Sequence, residues 1–190
     1  MRLFLYSLFV TTALVSYSQG RVKPKIIAGL MGAQIDGDQL AGYNKPGLIA
    51  GVAMELPLSK HIGAQLEMMY CQKGVRSTSK SLYYSVIRLS YIDISGVVNI
   101  YLGPKWVLQP GFSYAILFRA RADAALGFVD AKDLFNSSDK CLLLGAEFKL
   151  APKTNVGLRY GYSLTSIRPD ANWYNNTLSL SLRFALGGSE

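Results

Sequence analysis

The feature that most constrains this chain is a strict alternation of apolar with small or polar residues, returning in segment after segment from Lys25 to Leu186. Successive side chains of an extended strand point to opposite faces, so alternation of this kind makes a two-faced strand; on a helix the same residues would scatter around the axis. The clearest case is 176–186, where Leu178, Leu180, Leu182, Phe184 and Leu186 share one face and Thr177, Ser179, Ser181, Arg183 and Ala185 the other. Segment 62–74 sets Ile62, Ala64, Leu66, Met68 and Tyr70 against Gly63, Gln65, Glu67, Met69, Cys71 and Lys73. In 90–102, Ile92, Ile94, Val98 and Ile100 oppose Tyr91, Asp93, Ser95 and Asn99, and in 154–164, Val156, Leu158, Tyr160 and Tyr162 oppose Asn155, Gly157, Arg159, Gly161 and Ser163. Segments 47–56, 106–118 and 141–150 follow less cleanly and 25–34 is the weakest, which makes about eight strands.

The connections alternate too. Short turns fall at 57–61, 102–105 and 151–153, each with Pro or a charged residue suited to a tight reversal. Longer, more polar stretches fall at 35–46, 75–84, 119–139 and 165–175. Short turns on one side and long loops on the other are the mark of outer-membrane barrels, whose short turns are periplasmic. Ahead of this pattern, Arg2, an apolar core at 3–15 and the small residues Ser16 and Ser18 read as a secretory signal peptide, residues 1–18, cut after Ser18. That core is too short for the roughly 20 residues a spanning helix needs. Residues 19–190 then form one domain, an all-β, transmembrane, antiparallel up-and-down barrel.

Alternation alone leaves open which face points outward. A soluble barrel would cover its exterior with charge, about 25–35% of the surface, and charged residues make up only 17% of this chain. Its polar face is mostly Gly, Ser, Ala, Thr and Gln with single charges at Glu55, Glu67, Asp93, Glu147, Lys149, Arg159 and Arg183. Small residues with a few pairable ions suit the lumen of an eight-stranded barrel, which side chains just fill. Isolated charges there are costly, so Glu67, Asp93 and Glu147 are expected to pair with Arg159, Arg183, Lys149 or Lys73. The other face is aliphatic at strand centres and aromatic toward strand ends, with Tyr70, Trp106, Tyr114, Tyr160, Tyr162 and Phe184 as interfacial girdle residues. A β-sandwich with these aromatics as core is the competing reading, but it would have strand edges to protect.

The stretches GLIAGVAMELPLS (47–59), IGAQLEMMYCQKG (62–74), LSYIDISGVVNIYL (89–102), WVLQPGFSYAIL (106–117), NVGLRYGYSLTSI (155–167) and LSLSLRF (178–184), in this order and spacing, resemble the PorT-like outer-membrane β-barrel proteins of Bacteroidetes. The resemblance covers roughly residues 25–186. It implies an eight-stranded barrel in the outer membrane of a Gram-negative bacterium and, for most members, no defined activity; the founding kind is associated with assembly or secretion of surface proteins. Ser95 departs from the proline common after the acidic residue, and ALGGSE follows the terminal aromatic Phe184, which weakens Phe184 as the last residue of an insertion signal. Such a signal would be read by the barrel insertion machinery through strand addition.

Catalytic chemistry finds little to work with. His61 is the one histidine and sits in a short turn beside Lys60, and no nucleophile elbow, zinc-helix motif or phosphate loop is present. Asp36-Gly37-Asp38 lacks the rest of a calcium-loop spacing and reads as a polar turn. No metal or cofactor is expected. Cys71 and Cys141 fall on the lumen face of the third and sixth strands, nearly across the barrel, too far apart for the roughly 7 Å that a disulfide requires; both are expected as free, buried thiols. The net charge of +8 is scattered rather than clustered, which favours anionic lipid head groups over nucleic acid. The leading expectation is a non-enzymatic barrel with a side-chain-filled lumen. It would act in structure, binding or assembly, meeting outer-membrane lipid all round and surface or secretion proteins through loops 75–84 and 119–139. A porin-like barrel for small solutes is the alternative.

Overall fold

The computed structural model describes residues 22–38, 42–76, 86–124 and 127–186. The signal segment 1–18 and most of the 75–84 connection lie outside the described residues. In chain order the strands are β1 (Lys23–Asp36), β2 (Lys45–Pro57), β3 (Ile62–Arg76), β4 (Val86–Leu102), β5 (Trp106–Ala124), β6 (Gly127–Asp130), β7 (Ser138–Ala151), β8 (Thr154–Ser163) and β9 (Tyr174–Ala185), with a 3-10 turn at Lys132–Leu134. The strands pair in the order β4-β3-β2-β1-β9-β8-β7-β5-β6, and β4 pairs with β5 to close the ring. Eight antiparallel strands therefore make the wall, and β6 is a short ribbon folded back on the end of β5. Closure gives each wall strand a partner on both sides, the arrangement by which strands satisfy their backbone groups within lipid.

The period-two pattern sets the register. Leu30 lies between Leu48 on β2 and Leu180 on β9, and Leu180 meets Leu158 on β8, so apolar side chains form rows around the outside. Leu30 is 64% exposed in the middle of its strand, whereas Glu67 and Glu147 are 1% exposed. Outside and inside are thus the reverse of a soluble barrel.

Two parts of the polar connections are ordered strand or cap rather than open loop. The stretch 119–139 contains the end of β5, all of β6 and the start of β7. A one-residue irregularity near Ser90/Tyr91 shifts the β4–β5 register, so that beyond it Ala120 and Ala122 point inward while Arg119 and Arg121 are exposed. Small inward residues between arginines gave too weak an alternation to read as strand. At 165–175, Ile167 is fully buried, and its carbonyl accepts Asn136 N–H at 2.8 Å.

Candidate functional site

The lumen is the site the fold builds, and it is filled in three levels. Nearest the short-turn end, Lys25 on β1 binds Glu55 on β2 at 2.6 Å and Glu147 on β7 at 3.4 Å. Arg183 on β9 reaches both Glu147 and Glu67 at 2.8 Å. Arg159 on β8 faces Glu67 on β3 from the opposite side of the ring and grips it through Nη1 and, at 2.9 Å, through Nη2. Three cations and three carboxylates are thereby balanced. Neutral amides complete the ties: Asn155 donates to Glu147 at 2.8 Å, Arg159 to Gln109 at 3.1 Å and Gln109 to Asn99 at 2.7 Å. Tyr101 Oη donates to Glu55 at 2.6 Å. A planar guanidinium donates two parallel N–H groups to a carboxylate in this way, and where charges are buried each needs its partner.

The second level is organised on Lys73. Its Nζ lies 2.9 Å from Asp139 and 4.0 Å from Asp93, 3.4 Å from Cys141 Sγ and 5.0 Å from the centre of the Tyr91 ring. Asp139 also accepts from Ser163 at 2.7 Å and Asn175 at 2.8 Å, and Asp93 accepts from Ser95 at 2.6 Å and Ser113 at 3.1 Å. The third level is apolar. Ile35, Val75, Leu89, Tyr91, Leu117 and Phe135 pack with Ile167 under Trp173, and the loop carrying Trp173 is tied down by Ser166 Oγ, which donates to Arg168 O at 2.8 Å. Arg168 stacks on Trp173, 4.6 Å from its ring centre. Its guanidinium also hydrogen-bonds Asp170, holding that exposed carboxyl below the usual carboxylate range.

Of the residues expected inside, Glu55, Glu67, Asp93, Glu147, Arg159 and Arg183 are buried there. Lys149 is not: it is exposed where the β7–β8 register shifts between Lys149 and Ala151. That irregularity ends the inward alternation at the barrel rim, so Lys149 joins Lys23, Lys105 and Lys153 around an open mouth of about 230 Å³. Lys25 takes the place expected for it. Lys25 and Asp139 carry a weak sequence signal because each lies at the margin of a strand whose alternation is poor, although Lys25 has the inward parity of Ile27 and Asp139 that of Cys141. Both cysteines are free and buried. Trp106, Tyr114, Tyr160 and Phe184 are exposed on the outer face, with Tyr70 and Tyr162 partly so. Trp106 packs against Phe148 with ring centres 4.9 Å apart, and Tyr162 stacks on Tyr174 at 6.2 Å. His61 is an exposed turn residue.

Between the charged levels the remaining cavity is about 30 Å³, room for roughly one water. Such an interior can lock strands together through its paired charges. A family model, that of the outer membrane protein beta-barrel domain, matches residues 10–168. The chain belongs to that family. Like other outer-membrane barrels it resides in the outer membrane, where the apolar outer rows meet lipid. Among solved structures, Neisserial surface protein A is similar at a TM-score of 0.62 and 13% identity, over 85% of this chain and 96% of that one. The attachment invasion locus protein Ail of Yersinia pestis is similar at 0.57 and 12%, over 87% and 99%. PagL, an outer-membrane enzyme, stands at 0.49 and 12%, over 84% and 98%. At such identities the likeness to the first two is one of fold. No curated protein matches by sequence.

Proposed function

We propose that this outer-membrane barrel is a non-enzymatic, non-conducting protein, exported by its first eighteen residues, that serves as a binding or assembly component of the PorT-like kind. The observation that carries the reading is the balanced set Lys25, Arg159 and Arg183 against Glu55, Glu67 and Glu147, spanning the lumen from wall to wall. A conduit needs charged groups that leave room and exchange partners with passing ions. Here each carboxylate is already held, and the apolar level under Trp173 covers the column. With the short turns toward the periplasm, as is the rule for such barrels, the capped end faces outward and its loops are the surface left for partners. The low sequence identities leave the resemblance at 25–186 as the support for the PorT-like assignment.

Planar-bilayer recording of the refolded mature chain tests the reading. The proposal expects no single-channel steps above baseline; regular steps that vanish on boiling the protein would refute it. A pull-down from native outer membrane tests the assembly role, where recovery of a secretion complex supports it and recovery of the barrel alone opposes it.

A further inference from the structure

The long-loop end holds a polar cleft that the lumen network does not use. β2 stops pairing with β3 at Ile49↔Cys71, although β3 runs on and stays paired with β4 as far as Arg76↔Val86. Pro46 contributes to the break because it has no N–H to give a ladder, and Leu48 N–H donates to the Gln72 side chain at 3.4 Å instead. The wall is left with a cleft of about 290 Å³ whose polar lining is Lys45, Gln72, Arg76, Arg88 and Ser90.

Among the described residues, three cations and no carboxylate line this cleft, and the sequence of 39–41 and 77–85 contains no Asp or Glu. Lys45 is 5% exposed. Its Nζ is hydrogen-bonded to the Pro46 carbonyl at 3.1 Å, and among the described residues no carboxylate pairs with it. A buried ammonium beside two guanidiniums is costly unless an anion sits among them. The Arg88 guanidinium lies over Phe128, 4.3 Å from the ring centre, which covers its face and leaves its in-plane N–H groups for an oxyanion. Height supplies the remaining clue. Tyr70, an outward girdle residue, accepts from Gln72 at 2.8 Å and touches Ser90 at 3.5 Å, so the cleft borders the aromatic girdle, at the level of lipid head groups.

We propose that this cleft is a phosphate site, with Lys45, Arg76 and Arg88 as its cations, and that it takes the phosphate of an outer-leaflet glycolipid. The lipid as source rests on the reading above that the long-loop end faces outward; the anion site does not. The test uses the mature chain in zwitterionic micelles at low salt, titrated calorimetrically with a diphosphorylated glycolipid, with its dephosphorylated form and with inorganic pyrophosphate. The expected result is binding of the phosphorylated glycolipid at least about tenfold tighter than the dephosphorylated one, weakened by about tenfold for each arginine removed in R76Q and R88Q. K45M should weaken it as well, and K60Q, in a turn at the other end, should not. Folding of each variant is read from its heat-modifiable gel mobility; Arg76 and Arg88 are exposed, so their variants fold even if K45M does not. Pyrophosphate binding without glycolipid binding supports the anion site and assigns a soluble source. No binding of any phosphate, or affinity unchanged in R76Q/R88Q, overturns it; neither result alters the bilayer conductance on which the preceding proposal stands.

Discussion

Removal of the Glu67 charge is the sharpest perturbation of the lumen. Glu67 accepts from Arg159 through two nitrogens, from Arg183 at 2.8 Å and from Gln65. In Glu67→Gln the shape is kept, but Lys25, Arg159 and Arg183 then face only Glu55 and Glu147, leaving one positive charge unbalanced where Glu67 is 1% exposed. Breaking a buried pair from one side costs about 3–5 kcal/mol, a large part of the roughly 5–15 kcal/mol that holds a folded domain. The companion Glu67→Gln/Arg159→Met removes a cation as well and restores two against two. Coupling between such neighbours is about 0.5–3 kcal/mol, so the double variant should be clearly more stable than the sum of its single variants. Urea unfolding from lipid vesicles, followed by gel mobility and tryptophan fluorescence, gives the three free energies. A loss below about 1 kcal/mol for Glu67→Gln, or a double variant as weak as the sum, would mean that water screens the lumen and would refute the argument from burial.

Other outcomes follow from the same geometry. Leu180→Arg, placed mid-strand on the outer face, should destabilise the barrel in lipid by about 2–4 kcal/mol, measured by the same unfolding assay. Lys25→Met, which strands Glu55 and weakens the hold on Glu147, should lower the unfolding midpoint markedly, while Lys149→Met, at the exposed rim, should leave it unchanged. Cys71 and Cys141 are both buried and free, so a thiol reagent should find no reactive group in the folded, unreduced protein and two after denaturation; none after denaturation would place them in a disulfide.

How far the sequence reached depended on whether a residue sat within clean alternation. Arg183 and Glu67 lie in the two clearest segments, and their inward direction followed from parity alone. Lys73 is readable as a partner for Asp93, but its shorter contact, Asp139, is the second residue of β7, within a stretch that reads as loop. Parity also fails wherever register slips: Arg119 and Arg121 lie past the irregularity at Ser90/Tyr91, and Lys149 sits at the one between Lys149 and Ala151. The apolar cap was invisible because Phe135, Ile167 and Trp173 are isolated in polar stretches, and only tertiary contact brings them together. The cleft at Lys45 needs the unequal lengths of the β2–β3 and β3–β4 ladders, a property of pairing that no single segment carries.

The central claim is that the apolar row of each strand meets hydrocarbon while the small and ionic row fills the tube, and the chain's two tryptophans, Trp106 and Trp173, stand on either side of it. Trp106 is 53% exposed on the outer face, whereas Trp173 packs onto the apolar cap inside. Fluorescence quenching by lipids brominated near the head group, measured on Trp173→Phe and on Trp106→Phe in vesicles, reads each in turn. The account predicts strong quenching of Trp106 and weak quenching of Trp173; the reverse order, or equal quenching of the two, would contradict it.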